Sequence, residues 1–190
     1  QGCKLSTIMN FKLFKLRTKI FYYSIFGKIQ KQIPQLDLEL QGHDSKRILL
    51  MFPFDEPSFR VAAFSFRGLG SEKQGENHYT FLIKDSFKPL FHIRRGETII
   101  LISDPKNPSK IKSEDSIINV LKLIDFDMVI DLNTNFYLDA SRILSLIPAK
   151  MKVGFKSRFA DLFYNIQLDV SKSGIAENGY HKVQLMLENS

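Results

Sequence analysis

The apolar run RILLMF (47–52) does not alternate with polar residues, which is the pattern of a strand covered on both faces. In EPSFRVAAFSFRGL (56–69), Phe59, Ala62, Ala63 and Phe66 recur at helical spacing. Pro57 suits the first turn of that helix, and Gly68 or Gly70 ends it. NHYTFLIK (77–84) is a second predicted strand, DSFKPLFHI (85–93) a short helix broken at Pro89, and ETIILIS (97–103) a third strand. The turn-rich DPKNPSK (104–110) follows. SEDSIINVLKLIDF (113–126) opens with Ser113 as a helix N-cap and acids in the first turn. DMVIDLN (127–133) reads as a buried strand, NFYLDASRILSLIP (135–148) as a helix, MKVGFK (151–156) as a strand and GYHKVQLMLENS (179–190) as a helix.

Strands alternating with helices at this spacing predict the α/β class, with a Rossmann-like, mainly parallel sheet flanked by helices. Ahead of it, residues 1–35 read as a basic helical arm, 36–46 as a linker and 47–190 as the α/β domain. There is no internal repeat.

Charge sharpens the picture of the arm. The chain has 27 Lys and Arg against 20 Asp and Glu, a net charge of +7 over 190 residues. Seven of the cations, Lys4, Lys12, Lys15, Arg17, Lys19, Lys28 and Lys31, lie in residues 1–35 beside no acid, and the remaining 20 cations balance the 20 acids. On a helix, Lys12, Lys15 and Lys19 form one stripe, with Phe11, Phe14, Phe21, Tyr22 and Ile25 on the adjoining face. Leu13, Leu16 and Ile20 fall on a third side. Two readings follow, an interfacial helix on an anionic membrane or a helix packed on protein. Either way Lys12, Lys15, Arg17, Lys19, Phe14 and Phe21 are the expected contacts. Nucleic acid is not an expected partner, because the body has no basic patch or recognition motif.

Candidate chemistry is sparse. The loop PFDEPSF (53–59) has no glycine, so a phosphate cradle is not expected, and no cofactor is implied. His43, His78, His92 and His181 lack metal-ligand spacing, and no metal is expected. Cys3 is the one cysteine, which rules out an intramolecular disulfide and fits a reducing cytosol. The chain opens on Gln1 with Met9 as a candidate start, so Cys3 carries no functional weight. Asp55 and Glu56 close the first strand's loop, where a general base can sit, but the better reading is that they supply negative charge to a helix N-terminus. Asp131, Asn133 and Asn135 cluster after another central strand, either to bind a sugar or phosphate or to cap the next helix.

In this order, RILLMFPFDEPSFRVAAFSFRGL, FDMVIDLNTNFYLDASRILSLIPAKMKVGF, DLFYN (161–165) and YHKVQLMLENS resemble the N-terminal domain of the ADP-heptose:lipopolysaccharide heptosyltransferases, a GT-B glycosyltransferase family. The resemblance covers roughly 47–190 and implies a single GT-B N-terminal-type domain acting on a glycan or lipid-linked sugar acceptor. It places the family's Gly-Asp pair, whose Asp is the catalytic base, on Pro57 and Ser58, and a serine hydroxyl is no base near neutral pH. It also implies that the chain stops where the interdomain linker would begin, before any donor-binding domain. The expected function is therefore a non-catalytic, heptosyltransferase-like binding or scaffold subunit with a protein partner. The expected location is the cytoplasm, with a peripheral place on the inner face of the cytoplasmic membrane left open. The alternative is the acceptor-binding half of a split heptosyltransferase.

Overall fold

The computed structural model describes residues 2–29, 45–69, 77–93, 95–112, 114–170 and 176–188. The linker up to residue 44, His43, Gly70 as a helix stop and Ser113 as an N-cap lie outside the described residues. Two compact units form, Gln1–Gln30 and Lys31–Ser190. The first contains one long helix, α1 (Gly2–Ile25).

The second unit is an α/β domain. Its strands β1 (Arg47–Met51), β2 (His78–Lys84), β3 (Glu97–Leu101), β6 (Phe126–Asp131), β7 (Ala149–Phe155) and β8 (Ile166–Leu168) form a six-stranded sheet in the order β3-β2-β1-β6-β7-β8. Every pairing in it is parallel. Helices α2 (Glu56–Ser65) and α5 (Ala176–Glu188) cover one face, α3 (Glu114–Leu121) and α4 (Leu138–Ser145) the other. This is the α/β, Rossmann-like architecture expected from the alternating pattern.

The uninterrupted apolar run of β1 has its explanation in the two covered faces. Ile48, Leu50 and Phe52 point to Phe59, Ala62 and Phe66 of the α2 segment and to Tyr180, Val183 and Leu187 of α5. Leu49 and Met51 point the other way, to Ile117, Ile118 and Leu121 of α3 and Ala140, Ile143 and Leu144 of α4. With period-2 side chains, a strand between two helical layers leaves Ile48 to Phe52 no side facing solvent.

Local chemistry sets the element ends. Pro57 lies in the first turn of α2, and the Asp55 side chain caps it by accepting the Ser58 N–H at 2.9 Å. Pro89 leaves Asp85–Leu90 as a 3-10 turn, where a short broken helix was expected.

Two elements differ from the sequence reading. The stretch read as turn-rich forms an antiparallel ribbon of β4 (Ser103–Asp104) and β5 (Asn107–Ile111). Its turn is held by Asp104 Oδ1, which accepts the Lys106 N–H at 2.9 Å. β8 was read as no strand at all, because three half-buried residues carry no periodic signal. Its pairing comes from the neighbouring β7, where Val153, Gly154 and Phe155 align with Ile166, Gln167 and Leu168.

Candidate functional site

The C-terminal ends of β1 and β6 lie side by side, with Met51 in register with Asp131. The loops that leave them, 52–55 and 132–137, form the edge where α/β sheets hold ligands. The two loops are stitched together by Asn133. Its Oδ1 accepts the Phe54 N–H at 2.8 Å, while its own N–H and Nδ2 donate to Asp131 Oδ1 at 2.9 and 2.7 Å.

Asp131 is 3% exposed. Its other oxygen accepts the Tyr164 hydroxyl, which also lies 2.8 Å from Ser141 Oγ, and the Ser141 hydroxyl donates in turn to the Tyr137 carbonyl at 3.1 Å. Burial pushes the Asp131 carboxyl above its ordinary range, against the opposing pull of the Tyr164 and Asn133 hydrogen bonds. Burial and the neighbouring Asp131 charge drive the Tyr164 phenol well up as well. Gly154 makes this arrangement possible, since a Cβ there would meet Tyr164 Cδ2 at 2.5 Å.

Asp55 stands at the mouth of the edge, half-buried. One carboxylate oxygen caps α2. The other, Oδ2, is buried and has no hydrogen-bond partner among the described residues. Around it lie Tyr137, Tyr180 and Lys84. Both phenols are raised first by burial and then by the Asp55 charge. The Lys84 amine donates to the Phe54 carbonyl at 3.3 Å. Burial lowers its pKa, with Asp85 and Asp55 opposing the shift. The Tyr180 hydroxyl donates to the Leu132 carbonyl at 3.2 Å, with the Ser58 carbonyl 3.5 Å away, and so ties α5 to both loops.

The structure thus brings Asp55, Asp131 and Asn133 to one edge. Glu56 points to solvent and pairs with Arg60 at 2.7 Å, one helical turn on. Ser58 is half-buried in the first turn of α2, and Asn135 is exposed in the β6–α4 loop. Lys12, Lys15, Arg17, Lys19, Phe14 and Phe21 are all exposed on α1.

Sequence reasoning missed Tyr164, Ser141, Tyr180, Tyr137 and Lys84. One signal was present, a hydroxyl or amine within otherwise apolar segments, which demands a buried partner. The partner itself is set by tertiary contacts across 33 and 48 positions, for Tyr164 with Asp131 and Tyr180 with Leu132.

A separate cleft of about 930 Å³ opens at the opposite, N-terminal end of the strands, lined by Arg47, His78, Thr80, Arg95 and Phe126 among others. Among the described residues no three His, Cys, Asp or Glu side chains converge as a metal site would require. No described helix is long and apolar enough to cross a membrane.

No protein-family model matches the chain. No curated protein matches it either. Among solved structures it is similar to the glycosyl transferase family 9 protein of Veillonella parvula DSM 2008, with a TM-score of 0.58 and 17% identity. The match covers 84% of this chain and 43% of that one, so the chain spans less than half the length of its solved neighbour. At this identity the likeness is one of fold, and the body of the chain is a Rossmann-like α/β domain.

Proposed function

We propose that this chain is a non-catalytic, heptosyltransferase-like domain that serves as a binding or scaffold subunit in a protein or membrane-surface assembly at the inner face of the cytoplasmic membrane. The observation that carries the reading is how the carboxylates at the ligand edge are occupied. Asp131 is buried and accepts three internal donors. Glu56 is paired with Arg60 outside the edge, and Asp55 is spent on the cap of α2 through Oδ1. Ser58 stands where the family resemblance puts the catalytic base, and its hydroxyl does not deprotonate near neutral pH. A general base must reach the acceptor hydroxyl: buried Asp131, outward Glu56 and the Ser58 hydroxyl do not offer one at this edge, and Asp55 offers it Oδ2 alone.

The experiment is a transfer assay. The full chain is incubated with an ADP-sugar and a lipid-linked sugar acceptor, alone and with the separately expressed second half of its solved neighbour, and ADP release is followed. No turnover above the blank is expected in either arrangement. A second reading, the acceptor-binding half of a split heptosyltransferase, is favoured by Asp55 Oδ2, a buried carboxylate oxygen at the edge that faces the Tyr137 phenol and can accept a ligand hydroxyl in its place. Turnover that disappears in Asp55→Asn overturns the non-catalytic reading in favour of this one.

A further inference from the structure

Helix α1 carries two apolar faces on opposite sides. At about 100° per residue, Leu13, Leu16, Ile20 and Tyr23 fall in one sector, and these are half-buried or, for Ile20, buried. The opposite sector holds Phe11, Phe14, Phe21, Tyr22 and Ile25, all exposed, with both Phe14 and Phe21 at 67%. Phe26, just past the helix end, is exposed too and its ring lies 4.3 Å from that of Tyr22. The imperfect amphipathicity of the sequence is therefore an arrangement of two apolar faces, of which the aromatic one is exposed.

Cations border the open face along both edges. Lys12, Lys15 and Lys19 run along one side and Arg17 lies along the other, while Lys28, past the helix end, sits over the Tyr23 ring. Lys15 already lies over the Phe11 ring, 4.7 Å from its centre, so its stem follows the aromatic surface. No acid occurs anywhere in residues 1–35 to answer this charge.

We infer that the open face of α1 inserts into the interface of an anionic lipid bilayer, which deepens the proposed scaffold role by naming the surface it occupies. The helix lies in the membrane plane with Phe14, Phe21 and Ile25 below the headgroups. The charge pattern is what favours lipid: headgroups surround an inserted helix on both sides, so the Lys12, Lys15 and Lys19 row and Arg17 opposite it meet phosphate at once. The rings then sit at the boundary between acyl chains and water.

The full chain is tested by co-sedimentation with vesicles of phosphatidylcholine, alone or mixed with phosphatidylglycerol. Binding is expected to the mixed vesicles, to weaken as salt is raised, and to be slight on neutral vesicles. Phe14→Ser with Phe21→Ser, and separately Lys12→Glu with Lys15→Glu and Lys19→Glu, should each lower the partition coefficient by about tenfold or more. Phe64→Ser, an equally exposed ring on α2, should leave it unchanged. The chain has no tryptophan. Phe21→Trp therefore gives a clean second readout, with its emission shifting to the blue on the mixed vesicles. Partition that is absent, that survives either set of α1 substitutions or that is equal on neutral vesicles overturns the inference, as does an unshifted Trp emission. None of these readouts involves sugar transfer, so the non-catalytic reading of the body and the lipid reading of α1 fail separately.

Discussion

Replacing Asn133 with Ala tests whether the ligand edge is an internally satisfied lock. The substitution removes the acceptor of the Phe54 N–H and the Nδ2 donor to Asp131, both in buried bonds. The backbone N–H of residue 133 still reaches Asp131 Oδ1, so that carboxyl keeps part of its shell. A buried N–H left unpaired costs about 1–3 kcal/mol, and a lost bond to a carboxylate about as much again, for a total of roughly 3 kcal/mol. In a domain of this size that corresponds to a fall in Tm of roughly 6–12 °C. The assay is urea unfolding followed by far-UV circular dichroism, in which the midpoint should fall while the slope stays constant. Asn135→Ala is the internal control. It lies two residues on and exposed, and should change stability by less than about 0.5 kcal/mol. Asn133→Asp separates the two bonds, since it keeps an acceptor for Phe54 but sets a second carboxylate against Asp131. It should be destabilised at neutral pH and recover on acidification. If Asn133→Ala unfolds at the wild-type midpoint, the two loops are not held by this side chain and the description of the edge is wrong.

Two further outcomes are expected. Lys152 is buried on β7 and donates to the Ser145 carbonyl at 2.7 Å, and burial pulls its pKa down from 10.5 to about 8. Between those values the unfolded chain binds the proton and the native chain does not, so wild-type stability rises with pH relative to Lys152→Met. Urea midpoints of the two proteins from pH 7 to pH 10.5 should diverge above about 8, and parallel curves would contradict the assignment. Gly154→Ala should cost about 2–3 kcal/mol, because the new Cβ meets the Tyr164 ring at 2.5 Å and pushes its hydroxyl off Asp131. In that background Tyr164→Phe should cost less than in the wild type, a coupling that a double-mutant cycle measures.

The sequence by itself determined the class of the domain and most of its elements. A strand such as β1 buries both faces from Ile48 to Met51 and is apolar at each of those positions, and a helix such as α2 must repeat its apolar residues at every third or fourth position. Both constraints are local and periodic, so they are legible in a string of letters. The negative charge of Asp55 and Glu56 at the start of α2 was legible for the same reason, and the structure makes Asp55 its N-cap, three residues from Ser58. The segregation of charge into residues 1–35 needed only counting.

Tertiary structure alone decided what the polar residues of the edge do. Asp131 and Asn133 carried the same two readings in sequence, ligand contact or helix cap, and the fold gives them a third occupation, holding Phe54 and Tyr164 from 79 and 33 positions away. β8 likewise exists only because β7 offers it a partner, and β4–β5 because its chain doubles back on itself. The aromatic face of α1 could be drawn on a helical wheel, but the exposure of its rings is a property of the folded chain. Hydrogen bonds and packing between distant segments have no period, so their partners emerge only when the chain has closed on itself.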